Sequence, residues 1–440
     1  MAAVPVDRAM AMTGLMETEA TAAVGKARQP EDPRDRQPGA RAYAAEAGGL
    51  STVYADLHLH IGSTEAGEPV KISASRNLTF RNLAHEASAR KGIRLLGVID
   101  AHSPGVQADI AGLLERGEME EAPGGGIRYR DTTVLLGSEI EVKEPGTGPA
   151  HYLIYLPAFD AMRSFTGWMS RHMRNVRLSS QRIYVSGRAL QEETKSRGGL
   201  FVPAHIFTPH KSLYGSSADR LSDVLDPELV DAVELGLSAD TAMASRIPEL
   251  DRYPFLTDSD AHSLAKIGRE YNELRLAEPS FAEFAMALKG QAGRRILTNY
   301  GLNPKLGKYH RTHCHSCGTT SESDDDEERC PLCGNARRVG GVADRIRQLG
   351  AMAGRAEPKL DPKRPPYVYQ VPLEFVPGIG RKLLDKLLDR FGTEMAVLHR
   401  AAAQELADTV GPEAASRIVQ AREGTLELQA GGGGRYGKVK

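Results

Sequence analysis

The chain has 440 residues, of which 41% are hydrophobic, and its formal net charge at pH 7 is −1. This length allows two or three domains with a sizeable core, and the near-zero charge excludes a basic or acidic coat over the whole chain. All four cysteines fall between Cys314 and Cys333, which leaves none for disulfides elsewhere, and no stretch has the roughly 20 apolar residues of a membrane span.

Residues 1–50 are rich in Ala, Pro, Gly and mixed charge and lack a hydrophobic period, so we expect a flexible leader. This start does not resemble a signal peptide, and together with the cysteine usage it predicts a cytoplasmic protein without a membrane partner. Short apolar runs then alternate with helix-like stretches such as "FRNLAHEASARKG". This alternation predicts βα units and a largely parallel sheet, open or closed into a barrel, over residues 51–300.

Polar side chains follow several of the predicted strands, in "DLHLH", "IDAHS", "GSE", "PAH" and "DSDAH". In parallel α/β folds, ligand sites lie at the carboxyl ends of the strands. The residues that could bind a metal there are His58, His60, Asp100, His102, Glu139, His151, His205, Asp260 and His262. Any one histidine is equally well explained as a hydrogen-bonded core residue, but five such strand ends together favour a multinuclear metal site, because imidazole suits zinc or manganese and carboxylates can bridge ions.

The segment 163–188 carries arginines and aromatic residues without one acidic residue. Arginines can hold phosphates, and aromatic faces can stack on an unpaired base. The predicted nucleic-acid contacts are Arg171, Arg174, Arg177, Arg182 and Trp168. The alternative is a solvated amphipathic helix whose aromatic residues are buried.

Two C-x-x-C pairs, Cys314 with Cys317 and Cys330 with Cys333, lie within residues 308–340. Their spacing predicts one structural zinc ion held by four thiolates, which would replace a hydrophobic core in so short a segment. His313 and His315 are competing ligands, and DNA contact by this module is left open.

A Pro-rich stretch predicts a linker over residues 341–370, and "LEFVPGIGRKLLDKLLDRFG" then predicts a helix-hairpin-helix-like region over 371–423. Gly378 and Gly380 would let backbone N–H groups approach a DNA phosphate, with Arg381 and Lys382 near by. A second hairpin is expected around "LADTVGPEAASRIVQAREG". The alternative is a small helical bundle that only caps the fold, and residues 424–440 are expected to be a flexible tail.

The order of the strand-end motifs resembles the polymerase and histidinol phosphatase (PHP) family. Within it, "ELGLSADTAMASR", "LTDSDAHSLAKIGREYNEL", "GKYHRTHCHSCG" and "CPLCG" resemble the endonuclease Q branch over residues 53–375. The resemblance implies an α/β fold with a PHP-type distorted (β/α)7 barrel, followed by the four-cysteine zinc module and the helical region. It also implies two or three divalent ions (Zn, Mn or Mg) in the barrel.

By the same resemblance, each barrel ion has its own ligands. One ion is held by His58, His60, Glu139 and Asp260, a second by Glu139, His151 and His205, and a third by a set that includes His102 and His262. Asp260 and Glu139 are the implied catalytic residues. The chain departs from the family in having "DAH" at 100–102 where "DH" is usual, and in lacking a histidine in "IGSTEAGEP". Either Glu65 or Glu68 compensates for this histidine, or the site holds two ions.

The activity implied by the resemblance is DNA repair. Members of the branch nick a strand on the 5′ side of deaminated bases, such as uracil or hypoxanthine, or of abasic sites, so the implied partner is DNA with such nucleotides. Replication or repair factors as further partners cannot be read from the sequence. The alternatives are a PHP phosphoesterase of another substrate and a non-catalytic DNA-damage binding protein.

Overall fold

The structure, a computed structural model, describes residues 49–320 and 329–440. The predicted leader lies outside this part except for its last two residues, and so does most of the acidic loop between the cysteine pairs. In the described ranges, each helix is too short or too polar to cross a bilayer.

The first half of the chain forms a barrel. Its elements in chain order are β1 (Ser51–Leu59), α1 (Phe80–Glu86), β2 (Leu95–Val98), α2 (Pro104–Glu115), β3 (Glu120–Glu121), β4 (Ile127–Tyr129), β5 (Thr132–Lys143), β6 (Pro149–Leu156), α3 (Phe159–Met169), α4 (Gly187–Ser196), β7 (Leu200–Pro203), β8 (Val233–Glu234), α5 (Thr241–Ala244) and β9 (Phe255–Leu256). Strands β1, β2, β5, β6 and β7 pair in that order, and a hydrogen bond from Asp231 to Phe201 brings β8 beside β7. Strand β9 pairs with β8, and Ala261 closes the ring by backbone hydrogen bonds to His58 and His60.

This ring confirms the predicted PHP-type α/β barrel, but the expectation of a largely parallel sheet was wrong. Strands β1, β2 and β5 are mutually parallel, whereas β6 is antiparallel to both β5 and β7. The connection from Glu144 to Gly148 is too short for a helical crossover, so β5 and β6 form a hairpin. The amino end of β6 therefore reaches the same rim as the carboxyl ends of β5 and β7.

The barrel interior is hydrophobic below the rim. One buried cluster takes a side chain from each of six ring strands: Leu57, Leu95, Leu135, Leu153, Val202 and Leu256. A second, larger cluster packs α1, α2 and α3 against the outside of the strands. Because the interior below the rim is apolar, the polar residues of the barrel lie together at the rim.

The rest of the chain extends the sheet and adds small elements. These are β10 (Tyr271–Leu276), α6 (Phe281–Leu288), β11 (Arg295–Gly301), β12 (His313–Cys314), β13 (Arg338–Val339), α7 (Val342–Met352), β14 (Tyr367–Tyr369), α8 (Arg381–Phe391), α9 (Glu394–His399), α10 (Ala403–Val410), α11 (Pro412–Glu423), β15 (Leu428–Gln429) and β16 (Lys438–Val439). Strand β10 pairs antiparallel with β1, β11 with β10, and β14 joins β11 in parallel.

Two segments that were expected to lack structure are ordered. The predicted linker contains α7, which buries Val342, Ile346 and Leu349 on one face, and it contains β14. The predicted flexible tail forms the β15–β16 hairpin, which is tied to Leu306 by a backbone hydrogen bond of 2.8 Å from Gly437. A side chain at Gly437 would collide with Gln429, so its glycine permits this close approach. Regular elements occur in both segments because a high Pro or Gly content does not prevent docking onto a preformed surface, and the linker and tail assignments stay predictions.

The C-terminal helices α8 to α11 dock on the barrel. His399 stacks on Tyr54 of β1 with ring centroids 4.6 Å apart, and its Nε2 lies 2.6 Å from the hydroxyl of Tyr271. A buried salt bridge of 2.9 Å joins Lys91 to Glu394. The described residues thus belong to one compact unit, and the domain boundaries proposed from the sequence stay predictions.

Candidate metal centre and nucleic-acid surface

Three overlapping groups of potential ligands lie at the barrel rim, each with its ligand atoms within 4.8 Å of one another. They are His58 with His60 and Glu139, Glu139 with His151 and His205, and His60 with Asp260 and His262. Together these groups contain the predicted ligands of the first two ions, and His262 from the third.

The first group joins His58 and His60, at the end of β1, to Glu139 of β5, and Asp260 from the loop after β9 lies beside them. The Nε2 atom of His58 lies 3.6 Å from both Glu139 Oε1 and Asp260 Oδ1, and His60 Nε2 lies 3.5 Å from the same Asp260 oxygen. Ligand atoms about 2.1 Å from a tetrahedral zinc ion are about 3.4 Å apart, so these separations fit a shared ion. In addition, His58 Nε2 is buried and has no hydrogen-bond partner among the described residues.

His58 in β1 and His60 directly after it both face the site, as residues two apart on a strand do. The strand is nevertheless irregular at this point. The pairing of β1 with β2 shifts register between Asp56 and Leu59. As a result Leu57 belongs to the interior cluster while Leu59 packs outside, although a regular strand would place them on one face.

The second group shares Glu139 with the first. Its Oε1 lies 2.8 Å from His151 Nδ1 and 3.4 Å from His205 Nε2, while its Oε2 lies 3.7 Å from His60 Nε2. Its carboxylate thus lies between the two groups, as a bridging ligand must. His151 reaches this position from the amino end of β6 because that strand runs antiparallel.

The electrostatics of the rim favour cations. Burial lowers the pKa of His58, but the carboxylates of Glu234, Asp260 and Glu139 outweigh it and raise the pKa to about 10. Burial raises the pKa of Glu139, yet His151 and Lys71 hold it well below its ordinary value. The raised pKa of His58 reports the surrounding negative charge, which a bound metal ion would neutralise, and the lowered pKa of Glu139 reports that its carboxylate is held ionised by its cationic neighbours.

Two further carboxylates orient the histidines of β1. Glu234 Oε1 lies 2.9 Å from His58 Nδ1, and Asp100 Oδ2 lies 3.1 Å from His60 Nδ1. Such partners fix the ring orientation and leave the Nε2 atoms for metal binding. The sequence placed Asp100 among the possible ligands and missed Glu234, although an acidic residue within the apolar run "DAVELGL" is a usable signal.

Backbone strain accompanies two of the ligands. His205 and Asp260 have φ angles of 30° and 44°, which residues other than glycine rarely adopt. Asp56 holds the loop before Asp260 by accepting hydrogen bonds from the backbone N–H groups of Ser259 and Gly268, at 3.0 and 2.8 Å. Strain of this kind is typical of functional sites, where the surrounding structure stabilises it.

The expected third set of ligands is not assembled. His102 belongs to none of the three groups, since its Nδ1 lies 2.9 Å from the hydroxyl of Ser138 and its Nε2 lies 3.4 Å from the carbonyl of Leu178. Glu65 and Glu68 instead pair with Arg116 and Arg177. The structure does not bring His102 together with His262, because its ring nitrogens face other partners, and its assignment to a metal stays a prediction.

A cavity of about 250 Å³ is lined by all of these ligands except His58, and also by Lys308, Tyr309 and Tyr436. Tyr436 comes from the hairpin predicted to be a flexible tail, and 43% of it is exposed. The cavity thus combines metal ligands with basic and aromatic side chains.

The arginine-rich segment follows α3 at the surface. Arg171 is exposed, and the guanidinium of exposed Arg174 lies 5.6 Å from the ring centroid of Tyr184. In contrast, Arg177 and Arg182 form salt bridges with Glu68 and Glu141, at 3.3 and 2.6 Å. Trp168 is half-buried and stacks on Phe165. Arg171 and Arg174 are the members of the predicted set without such a salt bridge in the described residues.

The four cysteines form a compact cluster. Cys314 and Cys333 have their sulfur atoms 3.5 Å apart, and those of Cys317 and Cys330 are 3.6 Å apart. A tetrahedral zinc ion with sulfur ligands at about 2.3 Å would separate them by about 3.8 Å, so the cluster fits that ion. Gly318 and Gly334, which follow the two C-x-x-C pairs, have φ angles of 72° and 68°.

The C-terminal region is helical, as expected, and its assignment as helix-hairpin-helix stays a prediction. A 3₁₀ turn, Leu373–Phe375, stands where the first helix of the first hairpin was expected, before Gly378, Gly380 and α8. Where the second hairpin was expected, helices α10 and α11 are joined at Gly411. Arg381 and Lys382, at the start of α8, are exposed, with 94% of the Arg381 side chain accessible.

A barrel of this topology, with two ligand groups joined by one carboxylate at its rim, defines a PHP-type metal-dependent hydrolase. A family model described as PHP-associated matches residues 243–292. The uncharacterized protein YqxK of Bacillus subtilis (strain 168) is 54% identical over 393 residues, which cover 89% of this chain and 100% of YqxK. The uncharacterized protein MJ0043 of Methanocaldococcus jannaschii is 39% identical over 256 residues, covering 53% of this chain and 31% of MJ0043.

Two solved structures match most of the chain. The lesion-specific endonuclease PfuEndoQ from Pyrococcus furiosus superimposes with a TM-score of 0.75 at 31% identity, covering 88% of this chain and 95% of that one. A complex of Endonuclease Q with a 27-mer duplex, with an abasic lesion at the active site, gives 0.75 at 32% identity, covering 88% and 96%. The chain belongs to the endonuclease Q family.

Proposed function

We propose that this protein is a metal-dependent DNA repair endonuclease that nicks a strand on the 5′ side of a deaminated base, such as uracil or hypoxanthine, or of an abasic site. The observation that carries the proposal is the pair of ligand groups joined by Glu139 beside a cavity. Support comes from the related Endonuclease Q complex, whose duplex has an abasic lesion at the active site.

The residues that would hold two barrel ions are His58, His60, Glu139 and Asp260 for one, and Glu139, His151 and His205 for the other. This imidazole-rich set favours zinc or manganese over magnesium. When bound, paired ions lower the pKa of a water molecule and stabilise the attacking and leaving oxygens of a phosphodiester. The residues of the chain orient the site: Glu234 and Asp100 fix the two histidines of β1, and Asp56 fixes the loop that carries Asp260.

The proposed DNA contacts surround this site. Exposed Arg171 and Arg174 are suited to hold phosphates. At the start of α8, Gly378 and Gly380 would present backbone N–H groups, with Arg381 and Lys382 adding positive charge. The four cysteines would hold a structural zinc ion, and their reduced state fits a cytoplasmic location.

End-labelled duplexes with uracil, hypoxanthine, an abasic site or no lesion test this function directly. We expect one nick on the 5′ side of the lesion, leaving a 3′-hydroxyl and a 5′-phosphate, because water attacking phosphorus in line expels the 3′-oxygen of the upstream nucleotide.

Each other outcome identifies a different function. Release of a free base before the nick would indicate a glycosylase, and equal cutting of the undamaged duplex would indicate a general nuclease. Hydrolysis of small phosphoesters alone would indicate a phosphatase, and lesion binding without any cleavage a damage-binding protein.

A further inference from the structure

Arg269 is a buried arginine beside the loop that carries the metal ligand Asp260. Its Nε donates to the carbonyl of Ser259 at 2.7 Å, and its Nη2 donates to the carbonyl of Asp260 at 3.4 Å. Only 7% of the residue is exposed. Because a charged group is costly to bury, the position of this guanidinium against two carbonyls of the loop indicates that the loop depends on it.

The loop needs support because Asp260 has an unfavourable backbone conformation. Its φ of 44° costs free energy that neighbouring contacts must offset. Asp56 holds the loop by accepting a hydrogen bond from the backbone N–H of Ser259, whereas Arg269 holds the carbonyls of Ser259 and Asp260. The donors and the acceptors of the strained segment are thus held by two different side chains.

Tyr436, near the end of the chain, packs on the same guanidinium. The guanidinium carbon of Arg269 lies 5.9 Å from the centroid of the Tyr436 ring, and the Nζ of Lys308 lies 5.6 Å from that centroid. Both distances are within the range of a cation–π interaction. Tyr436 also lines the same cavity as Asp260. The ring therefore joins the C-terminal hairpin to the metal-binding loop through Arg269.

The hairpin that carries Tyr436 is held in place by contacts outside the ligand groups. The backbone N–H groups of Gly431 and Gly437 donate to the carbonyls of Lys305 and Leu306, at 2.7 and 2.8 Å. A Cβ atom at Gly431 would lie 2.8 Å from the carbonyl oxygen of Leu306, so a side chain there would disturb this contact. A hairpin fixed in this way can hold the Tyr436 ring against Arg269.

We propose that Arg269 and Tyr436 are positioning residues for the metal centre, so that the C-terminal hairpin completes a site whose ligands all lie between residues 58 and 262. Arg269 stabilises the strained conformation of the Asp260 loop, and Tyr436 keeps the guanidinium in place. The effect on nicking rests on the proposed function, whereas the effect on metal binding does not.

Manganese binding to the full chain, followed by electron paramagnetic resonance, tests the role of Arg269 without any DNA. Manganese favours carboxylate ligands over thiolates, so the signal reports the barrel and not the cysteines. We expect the affinity to fall about 10- to 100-fold in Arg269→Met. The loss should be smaller in Arg269→Lys, because an ammonium group can still donate to the carbonyls.

The matched control for this variant is Arg364→Met. Arg364 also donates to backbone carbonyls, those of Tyr253 and Leu250 at 2.9 and 3.2 Å, and its guanidinium lies 3.7 Å from the ring centroid of Phe255. It makes these contacts before β9 and not at the Asp260 loop. Arg364→Met should therefore keep the wild-type manganese affinity even where it lowers the Tm.

Two variants of Tyr436 test the link to the hairpin. We expect Tyr436→Ala to bind manganese about three- to tenfold more weakly and Tyr436→Phe to bind it like the wild type, because the ring and not the hydroxyl contacts the guanidinium. Excess metal should restore most of the single-turnover nicking of an abasic duplex by Arg269→Met, as a positioning role requires.

Three results would contradict the proposal. Wild-type manganese affinity in Arg269→Met would remove Arg269 from the metal centre, and an equal loss in Arg364→Met would show general destabilisation instead. Wild-type affinity in Tyr436→Ala would separate the hairpin from the site. If the wild-type protein failed to nick any duplex, the proposed function would fail, and the affinities would still decide the positioning role.

Discussion

Asp260 is the residue whose charge the metal centre needs most directly. Its Oδ1 lies within 3.6 Å of both histidines of β1, and His262 and His58 hold its pKa well below the ordinary value although burial raises it. Asp260→Asn keeps the size but weakens the charge that holds the ion, so we expect nicking to fall at least 100-fold while DNA binding stays within a few-fold. End-labelled nicking and fluorescence anisotropy on one preparation measure both. An active variant would remove Asp260 from the mechanism.

Glu234 acts on the metal through His58. Glu234→Gln keeps a hydrogen-bond acceptor but removes the charge beside Nδ1, so we expect metal affinity to fall about 10- to 100-fold. Competition with a chelator measures this affinity. The matched control is Glu249→Gln, which alters another largely buried carboxylate, bonded to the hydroxyl of Tyr214, outside the ligand groups. An equal loss of affinity in both variants would indicate general destabilisation instead.

For individual residues, the sequence predicts the metal ligands better than the side chains that contact those ligands. The metal-ligand groups were predicted from the spacing of His58 and His60 and from the polar residues at the ends of other strands. This is possible because parallel strands place their carboxyl ends at the same rim of the barrel. Lys71 and Glu234 could not be found in this way, since one lies in an irregular segment and the other reads as part of an apolar strand. His102 lies in a segment, "DAH", that departs from the family motif, and it faces Ser138, because side-chain direction is set by packing that no motif contains.

Among the elements, the four-cysteine module offers the simplest test. Cys314→Ser or Cys333→Ser should release one zinc ion and destabilise the segment around β12 and β13 while the barrel ions remain, because the thiolates form the cluster without barrel residues. Elemental analysis and limited proteolysis measure these effects. His315→Ala is the control, since this exposed histidine lies outside the cluster and should keep the zinc. Unchanged zinc in both cysteine variants would refute the four-thiolate site.

The secondary-structure elements were harder to predict from the sequence than the polar residues at the strand ends. Alternating apolar runs predicted βα units and left the sheet open or closed, and the family resemblance implied the barrel, whereas the direction of β6 depends on the short loop from Glu144 to Gly148. In the same way, β14 could not be recognised in a Pro-rich stretch, because its three residues are strand only through pairing with β11.

For the whole molecule, the docking of the C-terminal helices on the barrel should depend on pH. Burial, aided by Arg422 and Arg400, lowers the pKa of His399 from 6.5 to about 4. His399 binds a proton near pH 6.5 in the unfolded chain but only near pH 4 in the folded chain. The contribution of His399 to folding stability is therefore fully present above pH 6.5 and is lost as the pH falls from 6.5 to 4. We expect the free energy of unfolding to fall by about 3 kcal/mol over this range.

Thermal unfolding of wild type and His399→Phe between pH 4 and 7.5 measures this contribution. The variant keeps a ring against Tyr54 but cannot titrate, so its Tm should fall less steeply as the pH drops. Parallel curves for the two proteins would show that His399 does not couple folding to pH.

The pairing of β11 with β14 has a consequence for how the chain reaches its fold. These neighbours in one sheet are separated by the whole stretch from Leu302 to Pro366, so their pairing closes a long loop and carries a large entropic cost. The cysteine cluster lies within that loop, and a metal ion that joins its two halves shortens the path that remains to be closed. Zinc binding would then promote the pairing of β14 with β11 at the edge of the barrel sheet. In refolding with a chelator present, the formation of this last strand should therefore be delayed.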